Sequence, residues 1–239
     1  MKISLLFILS FFITAKAFCQ ADTIKAAKYY QLGMQYHLKH NYLVAIKELD
    51  TAIMINPNYT MAYFYRGLDK FYLEDNKSAI DDYSKAIMLS PKPVNFYLKR
   101  GSAEIQLGQF KEAVSDYNKA LALEGDNPDI YLALGIAKGT MGDYKGAIEA
   151  LDKVVQIKPD NEKALLYRGA IKGLENDYDG AIADLNRCIE INPKDDAAYM
   201  SRGGIRFDHN DKTSACADWH KAFELGNKEA AALISKNCK

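Results

Sequence analysis

The stretch AAKYYQLGMQYHLKHNYLVAIKELDTAIMINPNY, residues 26–59, contains a pattern that returns five more times along the chain. Its glycine, Gly33, is followed by another glycine every 34 residues, and an alanine stands twelve residues after each of them. A fixed period of this length indicates a stacked array of similar supersecondary units. The two ladders are Gly33, Gly67, Gly101, Gly135, Gly169 and Gly203, and Ala45, Ala79, Ala113, Ala147, Ala181 and Ala215.

Residue sizes within the repeat predict a helix–turn–helix hairpin. We number the repeat so that the ladder glycine is position 8. Small residues at positions 8, 20 and 27 let two helices approach closely, and larger apolar residues at positions 4 and 24 fill the space around them. Between the helices, Gly142-Asp143-Tyr144 and Asn176-Asp177-Tyr178 predict a left-handed helix end followed by an aspartate cap.

The pattern resembles the tetratricopeptide repeat, a helical hairpin unit of about 34 residues. The first repeat matches the family signature, or a near equivalent, at Tyr29, Leu32, Gly33, Tyr36, Ala45, Leu49, Ala52 and Pro57. The resemblance implies an all-α fold, an α-solenoid that winds as a right-handed superhelix and carries ligands on its concave surface. We predict six repeats, at 26–59, 60–93, 94–127, 128–161, 162–195 and 196–229.

Residues 1–19 are typical of a secretory signal peptide. Lys2 precedes an almost wholly apolar run, Ile3 to Ala15, which is shorter than the ~20 residues that a membrane span needs. Ala17-Phe18-Cys19 places small residues for cleavage before Gln20. We therefore expect a periplasmic or secreted protein with no membrane insertion after signal removal, beginning with a short polar leader at 20–25.

Two alternatives to that cleavage stay open. Ala15-Lys16-Ala17 offers a second site, before Phe18. A lipoprotein would begin at Cys19, but lipidation requires a small residue where Phe18 stands.

The C-terminal tail predicts a capping helix at 230–239. Ala230, Ile234 and Cys238 are spaced by four and form one apolar stripe on a helix, which suits the exposed last face of a repeat array. Cys216 occupies position 21, which is apolar in the other repeats. Because an exported chain meets an oxidising compartment, we predict a Cys216–Cys238 disulfide, with two reduced, packed cysteines as the alternative. We expect Cys188 to be a buried free thiol.

Arginine at position 7 and aspartate at position 23 occur together or not at all. Repeats 1 and 4 have neither, with Leu134 and Ala150 at these positions in repeat 4. We predict ion pairs between the two helices of one hairpin, and the alternative is an arginine row that binds an anion. The pairs are Arg66–Asp82, Arg100–Asp116, Arg168–Asp184 and Arg202–Asp218.

The sequence predicts no catalytic or metal site and no cofactor. Phosphate-binding loops, nucleophile elbows and zinc-protease helices are not found in it. Two of its four histidines, His37 and His40, lie near one end, and His209 and His220 lie near the other. The formal net charge is zero with no basic stripe, so nucleic-acid binding is not expected.

The inner face offers apolar and aromatic side chains at positions 5 and 6 of the first helices. They predict a groove for an apolar or aromatic peptide or helix. The alternative is that position 5 packs between neighbouring hairpins. The predicted groove residues are Tyr30, Phe64, Tyr65, Leu98, Leu132, Leu166, Tyr167 and Met200.

Together these observations predict a non-catalytic scaffold of the periplasm or cell exterior that binds a protein or peptide partner in its groove. The alternative is a structural component that self-associates, as a homo-oligomer, or joins an envelope assembly without a peptide ligand.

Overall fold

A computed structural model describes residues 22–238, so the predicted signal peptide and Cys19 lie outside the described residues. The described residues form thirteen α-helices and no strand. The all-α fold class of consecutive helix hairpins is therefore confirmed. The helices are α1 (22–38), α2 (Tyr42–Ile55), α3 (Thr60–Tyr72), α4 (Asn76–Leu89), α5 (Val94–Gln106), α6 (Phe110–Glu124), α7 (Pro128–Thr140), α8 (Tyr144–Ile157), α9 (Glu162–Leu174), α10 (Tyr178–Ile191), α11 (Asp196–Asp208), α12 (Lys212–Glu224) and α13 (Ala230–Asn237).

The helices divide into two compact units, with the division between Glu112 and Ala113. In the N-terminal unit α3 packs against α2, α4 and α5. In the C-terminal unit each helix from α7 to α13 packs against the next one along the chain. The first helices of neighbouring hairpins also contact each other there, α7 with α9 and α9 with α11.

The turns inside the hairpins follow the predicted chemistry. Gly142 and Asn176 both have positive φ, +89° and +64°, and so end their helices in the left-handed conformation. The next residues, Asp143 and Asp177, cap the following helix by accepting a hydrogen bond from the backbone N–H three residues on, at 3.0 Å in both cases. Pro128 occupies the first turn of α7, where its missing N–H costs nothing.

The ladder glycine brings the two helices of a hairpin into contact. A Cβ on Gly169 would lie 2.9 Å from Leu185 Cγ, and a Cβ on Gly203 would lie 2.6 Å from Trp219 Nε1. Leu185 and Trp219 occupy position 24 and are buried. The large side chain at position 24 therefore fills the space that glycine leaves at position 8.

Two adjacent glycines of α11 test this packing. Gly203→Ala is expected to lower the free energy of unfolding by about 1–2 kcal/mol, because overpacking against Trp219 outweighs the better helix propensity of alanine. Gly204→Ala is the matched control, since its Cβ would meet nothing within 4 Å. The control is expected to raise stability by roughly 0.5–1 kcal/mol. Urea denaturation checks both, and equal effects of the two substitutions would contradict the packing.

Buried positions 3 and 10 were not predicted. Position 3 supplies Phe96 and Ile130, and position 10 supplies Ile171 and Ile205, all of them buried. Both positions hold apolar or small residues in most repeats, so the period itself carried this signal.

The predicted polar leader at 20–25 stays a prediction, and the structure describes only its residues 22–25. Residues 22–25 are helical and form the exposed first turn of α1. Polar side chains are compatible with such a turn because it faces solvent.

The C-terminal helix α13 packs against α12, and the predicted disulfide joins them. Cys216 and Cys238 have an S–S distance of 2.03 Å and a Cα–Cα distance of 5.7 Å. Leu233, Ile234 and Cys238 lie against the buried cluster that contains Trp219. The cysteine Cys188 is buried and free.

Candidate functional site

A depression lies between α7 and α9 in the C-terminal unit. It has a volume of about 340 Å³ and an apolar floor with two charged groups, Asp129 and Lys163. We call it the α7–α9 depression. Its lining residues are Asp129, Leu132, Ala133, Ile136, Lys163, Leu166 and Tyr167.

A second depression lies between α9 and α11, one repeat further along. It has a volume of about 230 Å³, and we call it the α9–α11 depression. Met200, a predicted groove residue, and the largely exposed Leu174 are among its walls. Its lining residues are Ala170, Gly173, Leu174, Met200, Ser201, Gly204, Ile205 and Asp208.

Small residues make room for the second depression. Position 9 is Met34 in the first repeat but Ala170 and Gly204 in the last two. A Cβ on Gly204 would meet no atom within 4 Å, so nothing in the fold requires glycine there. The groove floor is therefore open at this point because the side chain is absent, and a larger side chain would fill it.

The structure brings the predicted groove residues of the C-terminal unit to these two depressions. Leu132 and Leu166 are half-buried in the α7–α9 depression, and Met200 is half-buried in the α9–α11 depression. Tyr167 is 40% exposed. These four side chains are thus partly held by packing and still present apolar surface that a partner can contact.

The groove residues of the N-terminal unit are packed more closely. The Tyr30 ring lies 5.0 Å from that of Tyr59 and 6.0 Å from that of Tyr65. Burial raises the pKa of the Tyr30 phenol to about 12, so it stays neutral at physiological pH. Tyr30, Tyr65 and Leu98 are all half-buried.

The prediction that Phe64 is a groove anchor is wrong. Phe64 is only 7% exposed, and its ring lies 4.8 Å from Phe96 and 5.9 Å from Tyr83. It belongs to the core of the N-terminal unit because Ala79 and Ala103 leave space for it. Its position therefore follows the packing alternative for position 5.

Arginine–aspartate pairs join the two helices of single hairpins. Arg168 donates to Asp184 through Nε at 2.8 Å and through Nη2 at 2.5 Å. The same two-pronged contact joins Arg66 to Asp82, at 2.9 and 2.5 Å, and Arg202 to Asp218, at 2.9 and 2.6 Å. Arg100 belongs to the N-terminal unit and Asp116 to the C-terminal unit, and the contact between them stays a prediction.

Each of the four arginines also donates a hydrogen bond to the residue at position 25 of the preceding repeat. This contact between repeats was not predicted from the sequence. Arg168 Nη1 donates to Asp152 at 2.7 Å. The corresponding acceptors are Asp50 for Arg66, at 2.6 Å, Asn186 for Arg202, at 2.6 Å, and Ser84 for Arg100, at 3.0 Å. The polar residue at position 25 in repeats 1, 2, 4 and 5 was the available signal. Because these acceptors take up guanidinium donors, the geometry favours structural pairs over an anion-binding row.

One cluster of possible metal ligands lies within residues 22–238, at Glu162, Cys188 and Asp195. Their ligand atoms lie within 4.8 Å of one another, but each has a partner in the fold. Asp195 Oδ1 caps α11, Glu162 Oε1 accepts from Asn192 at 2.8 Å, and Cys188 Sγ lies 3.6 Å from Asp195 Oδ2. Burial raises the pKa of the Cys188 thiol to about 12, which holds it protonated.

Two family models match the middle of the chain. A family model described as TPR repeat matches residues 101–142, and a model described as tetratricopeptide repeat matches 128–161 and 163–195. The matched segments cover less than half of the chain and are similar to tetratricopeptide repeats, a repeat type that generally mediates protein–protein interaction and is generally non-catalytic. A search of curated proteins returns no match. The division into six repeats stays a prediction.

Solved structures share the fold. The chain is similar to PilW, described as a widely conserved type IV pilus biogenesis factor, at 18% identity and a TM-score of 0.73 over 87% of this chain and 98% of that one. It is similar to YrrB, described as a TPR protein with an unusual peptide-binding site, at 21% identity and 0.66 over 79% and 97%. A tetratricopeptide repeat protein from Parabacteroides merdae is similar at 18% identity and 0.66 over 90% and 99%.

The helices of residues 22–238 were also compared with the length and hydropathy that a membrane span requires. None of them is both long and apolar enough to cross a bilayer.

Proposed function

We propose that the chain is a non-catalytic scaffold that binds a segment of another protein along the first helices of its C-terminal unit. The observation that carries the proposal is the pair of consecutive depressions on α7, α9 and α11, which are lined largely by apolar side chains. An extended or helical segment recognised by such a surface would bury apolar side chains in successive depressions.

Tyr167 is the side chain best placed to act as an anchor. It lines the α7–α9 depression and is 40% exposed, so a partner can cover it. Aromatic side chains at the centre of an interface carry a disproportionate share of the binding free energy. The charged groups Asp129 and Lys163 lie at the same depression and would mainly tune the rate of association.

We further propose that the protein works in the periplasm or outside the cell. The signal-like residues 1–19 support this location. The Cys216–Cys238 disulfide is consistent with it, because structural disulfides persist in oxidising compartments.

A structural, self-associating role is the second candidate. Met54 and Met88, both at position 29, are 82% and 65% exposed on the second helices of the N-terminal unit. Repeated exposed apolar side chains of this kind are one way in which chains contact copies of themselves. Light scattering discriminates the two candidates, since a concentration-independent monomer contradicts self-association through these methionines.

Removing the anchor or filling the groove is expected to weaken partner capture. Tyr167→Ala removes the anchor, and Gly204→Phe fills the α9–α11 depression at a position where a Cβ meets nothing within 4 Å. Each is expected to weaken binding about tenfold or more, which corresponds to ~1.4 kcal/mol. The binders are selected by affinity capture from the native envelope and from a displayed peptide library, and their affinities are measured by titration calorimetry.

Ala183→Phe is the matched control for this experiment. Ala183 is exposed on α10, a second helix, and lies outside both depressions. The control is expected to bind like the parent chain. Binders that are lost with Ala183→Phe but retained with Tyr167→Ala and Gly204→Phe would place the interface on the second helices and refute the proposal.

A further inference from the structure

A buried acid–imidazole pair joins the first repeat to the second. Nδ1 of His37, near the end of α1, lies 2.5 Å from Oδ1 of Asp69 on α3, and the two atoms share a hydrogen bond. The Asp69 side chain is fully buried and that of His37 is 13% exposed. The second carboxylate oxygen, Oδ2, is buried and has no hydrogen-bond partner among the described residues. Among the described residues, the hydrogen-bond partner of the buried Asp69 carboxyl group is therefore His37.

The same contact is apolar elsewhere in the chain. It joins position 12 of one repeat to position 10 of the next. At two later places glycine occupies position 12 and isoleucine occupies position 10. A Cβ on Gly139 would lie 2.8 Å from Ile171, and a Cβ on Gly173 would lie 2.8 Å from Ile205. Between repeats 2 and 3, Phe71 packs against the cluster that contains Ala103. Among these contacts, the one between repeats 1 and 2 is thus the one in which titratable groups replace an apolar pair.

The pair is surrounded by aromatic rings that exclude water. The ring centroids of three tyrosines lie 5.5 to 6.1 Å from that of His37, and they belong to Tyr42 of α2 and Tyr65 and Tyr72 of α3. Tyr83 of α4 is fully buried, and burial raises its pKa, so it stays neutral. The tyrosine rings that line the pair therefore supply no positive charge that could compensate a carboxylate of Asp69.

The charged groups on the neighbouring elements have partners of their own. Asp82 of α4 accepts from Arg66 and, at 2.8 Å, from Lys70. Glu104 of α5 lies 3.8 Å from Arg100. In the turn after α1, His40 bonds the hydroxyl of Tyr42 at 2.8 Å. The charge balance of Asp69 thus depends on His37.

We propose that His37 and Asp69 form a proton-dependent joint, which fastens α1 to α3 while the carboxyl group of Asp69 carries a proton and loosens when that proton leaves. With the proton, the buried carboxyl group is uncharged. Without it, a carboxylate remains buried with one oxygen, Oδ2, that has no hydrogen-bond partner among the described residues, and such a buried charge is costly.

The direction of the pH dependence follows from the acid. Burial raises the pKa of Asp69 to about 6 from its ordinary 3.8, although the hydrogen bond from His37 opposes the rise. Because the Asp69 carboxyl group then holds its proton more tightly in the folded chain than in the unfolded chain, its contribution to stability is complete below about pH 4. It is lost as the pH rises through about 6.

Loosening this joint would change the ligand-facing surface of the N-terminal unit. Tyr30 of α1 and Tyr65 of α3 have ring centroids 6.0 Å apart, and both belong to the predicted groove. The spacing of these two rings depends on α1 staying against α3. The joint would therefore couple the pH of the compartment to the shape of this surface.

Hydrogen exchange of the full, oxidised chain tests the joint. Opening of the α1 amides, corrected for the intrinsic exchange rate, is expected to be about tenfold greater at about pH 7.5 than at about pH 5, since pH 5 lies about one unit below the raised pKa of Asp69 and pH 7.5 lies above it. Amides of α9, whose joint is the apolar Gly139–Ile171 contact, are expected to change less than about twofold. Equal opening of α1 at the two pH values would overturn the proposal.

Three variants assign the effect to the pair. Asp69→Asn removes the titrating acid while keeping a hydrogen-bond acceptor, and is expected to abolish the pH dependence of α1. The double variant His37→Phe with Asp69→Ala copies the residues at the same positions of the next two repeats, Phe71 and Ala103, and carries the same expectation if the single variant does not fold. Asp81→Asn, an exposed acid on α4, should keep the full dependence. Persistence of the tenfold difference in the first two, or its loss in the third, would refute the assignment.

Discussion

Replacing Arg168 with alanine is expected to lower the free energy of unfolding by on the order of 3 kcal/mol. The substitution leaves the carboxylate of Asp184 buried, with the Nζ of Lys172 at 2.9 Å as its remaining cationic partner. It also breaks the bond from Arg168 to Asp152 of the preceding repeat, at 2.7 Å. The loss is therefore mainly the cost of a poorly compensated buried charge, and urea denaturation followed by circular dichroism measures it.

The chain supplies its own control for this prediction. Repeat 4 has Leu134 and Ala150 where repeat 5 has Arg168 and Asp184. The double variant Arg168→Leu with Asp184→Ala copies that apolar arrangement and is expected to recover at least about half of the loss, since an apolar replacement of a buried pair is often close to neutral. A double variant that is less stable than Arg168→Ala would contradict the account of the pair.

Opening the Cys216–Cys238 disulfide is expected to have an effect of similar size. It closes a loop with a sequence separation of 22 residues, so Cys238→Ser is expected to lower stability by roughly 3 kcal/mol in the chain-entropy model. The loss should be local to α12 and α13, because Cys238 packs against the cluster that holds Trp219. Trp219 is the single tryptophan, so its fluorescence in a denaturant titration reports this region selectively.

The free cysteine provides the matched control. Cys188 is buried at position 27, where four other repeats have alanine, so Cys188→Ala is expected to cost less than about 1.5 kcal/mol. A reducing agent should destabilise the parent chain but leave Cys238→Ser unchanged. If the Cys238→Ser chain unfolds at the same denaturant concentration as the parent, α13 is held by packing alone and the prediction fails.

The sequence predicted the hairpins because their contacts repeat with the period. Position 8 meets position 24 inside each of several hairpins, as Gly169 meets Leu185, so a size pattern in one repeat applies to the others. The turns were predictable for the same reason, since Gly142 and Asp143 act through local backbone geometry. The disulfide could be predicted because Cys216 occupies a position that is apolar in the other repeats and Cys238 lies on the apolar stripe of the last helix.

Contacts between repeats were harder to predict because each depends on the sizes of side chains that belong to different repeats. Phe64 shares position 5 with Leu132, but it is buried because Ala79 and Ala103 leave space beside it. The joint between His37 and Asp69 becomes visible only when position 12 is compared with position 10 of the next repeat.

Site-specific photocrosslinking in the native envelope tests directly whether a partner segment lies along the first helices of the C-terminal unit. A photoreactive phenylalanine analogue replaces Tyr167 at the α7–α9 depression or Ala183 on α10, one at a time. We expect a discrete crosslinked partner at position 167 and none at position 183. Adducts at position 183 with none at position 167 would contradict this expectation.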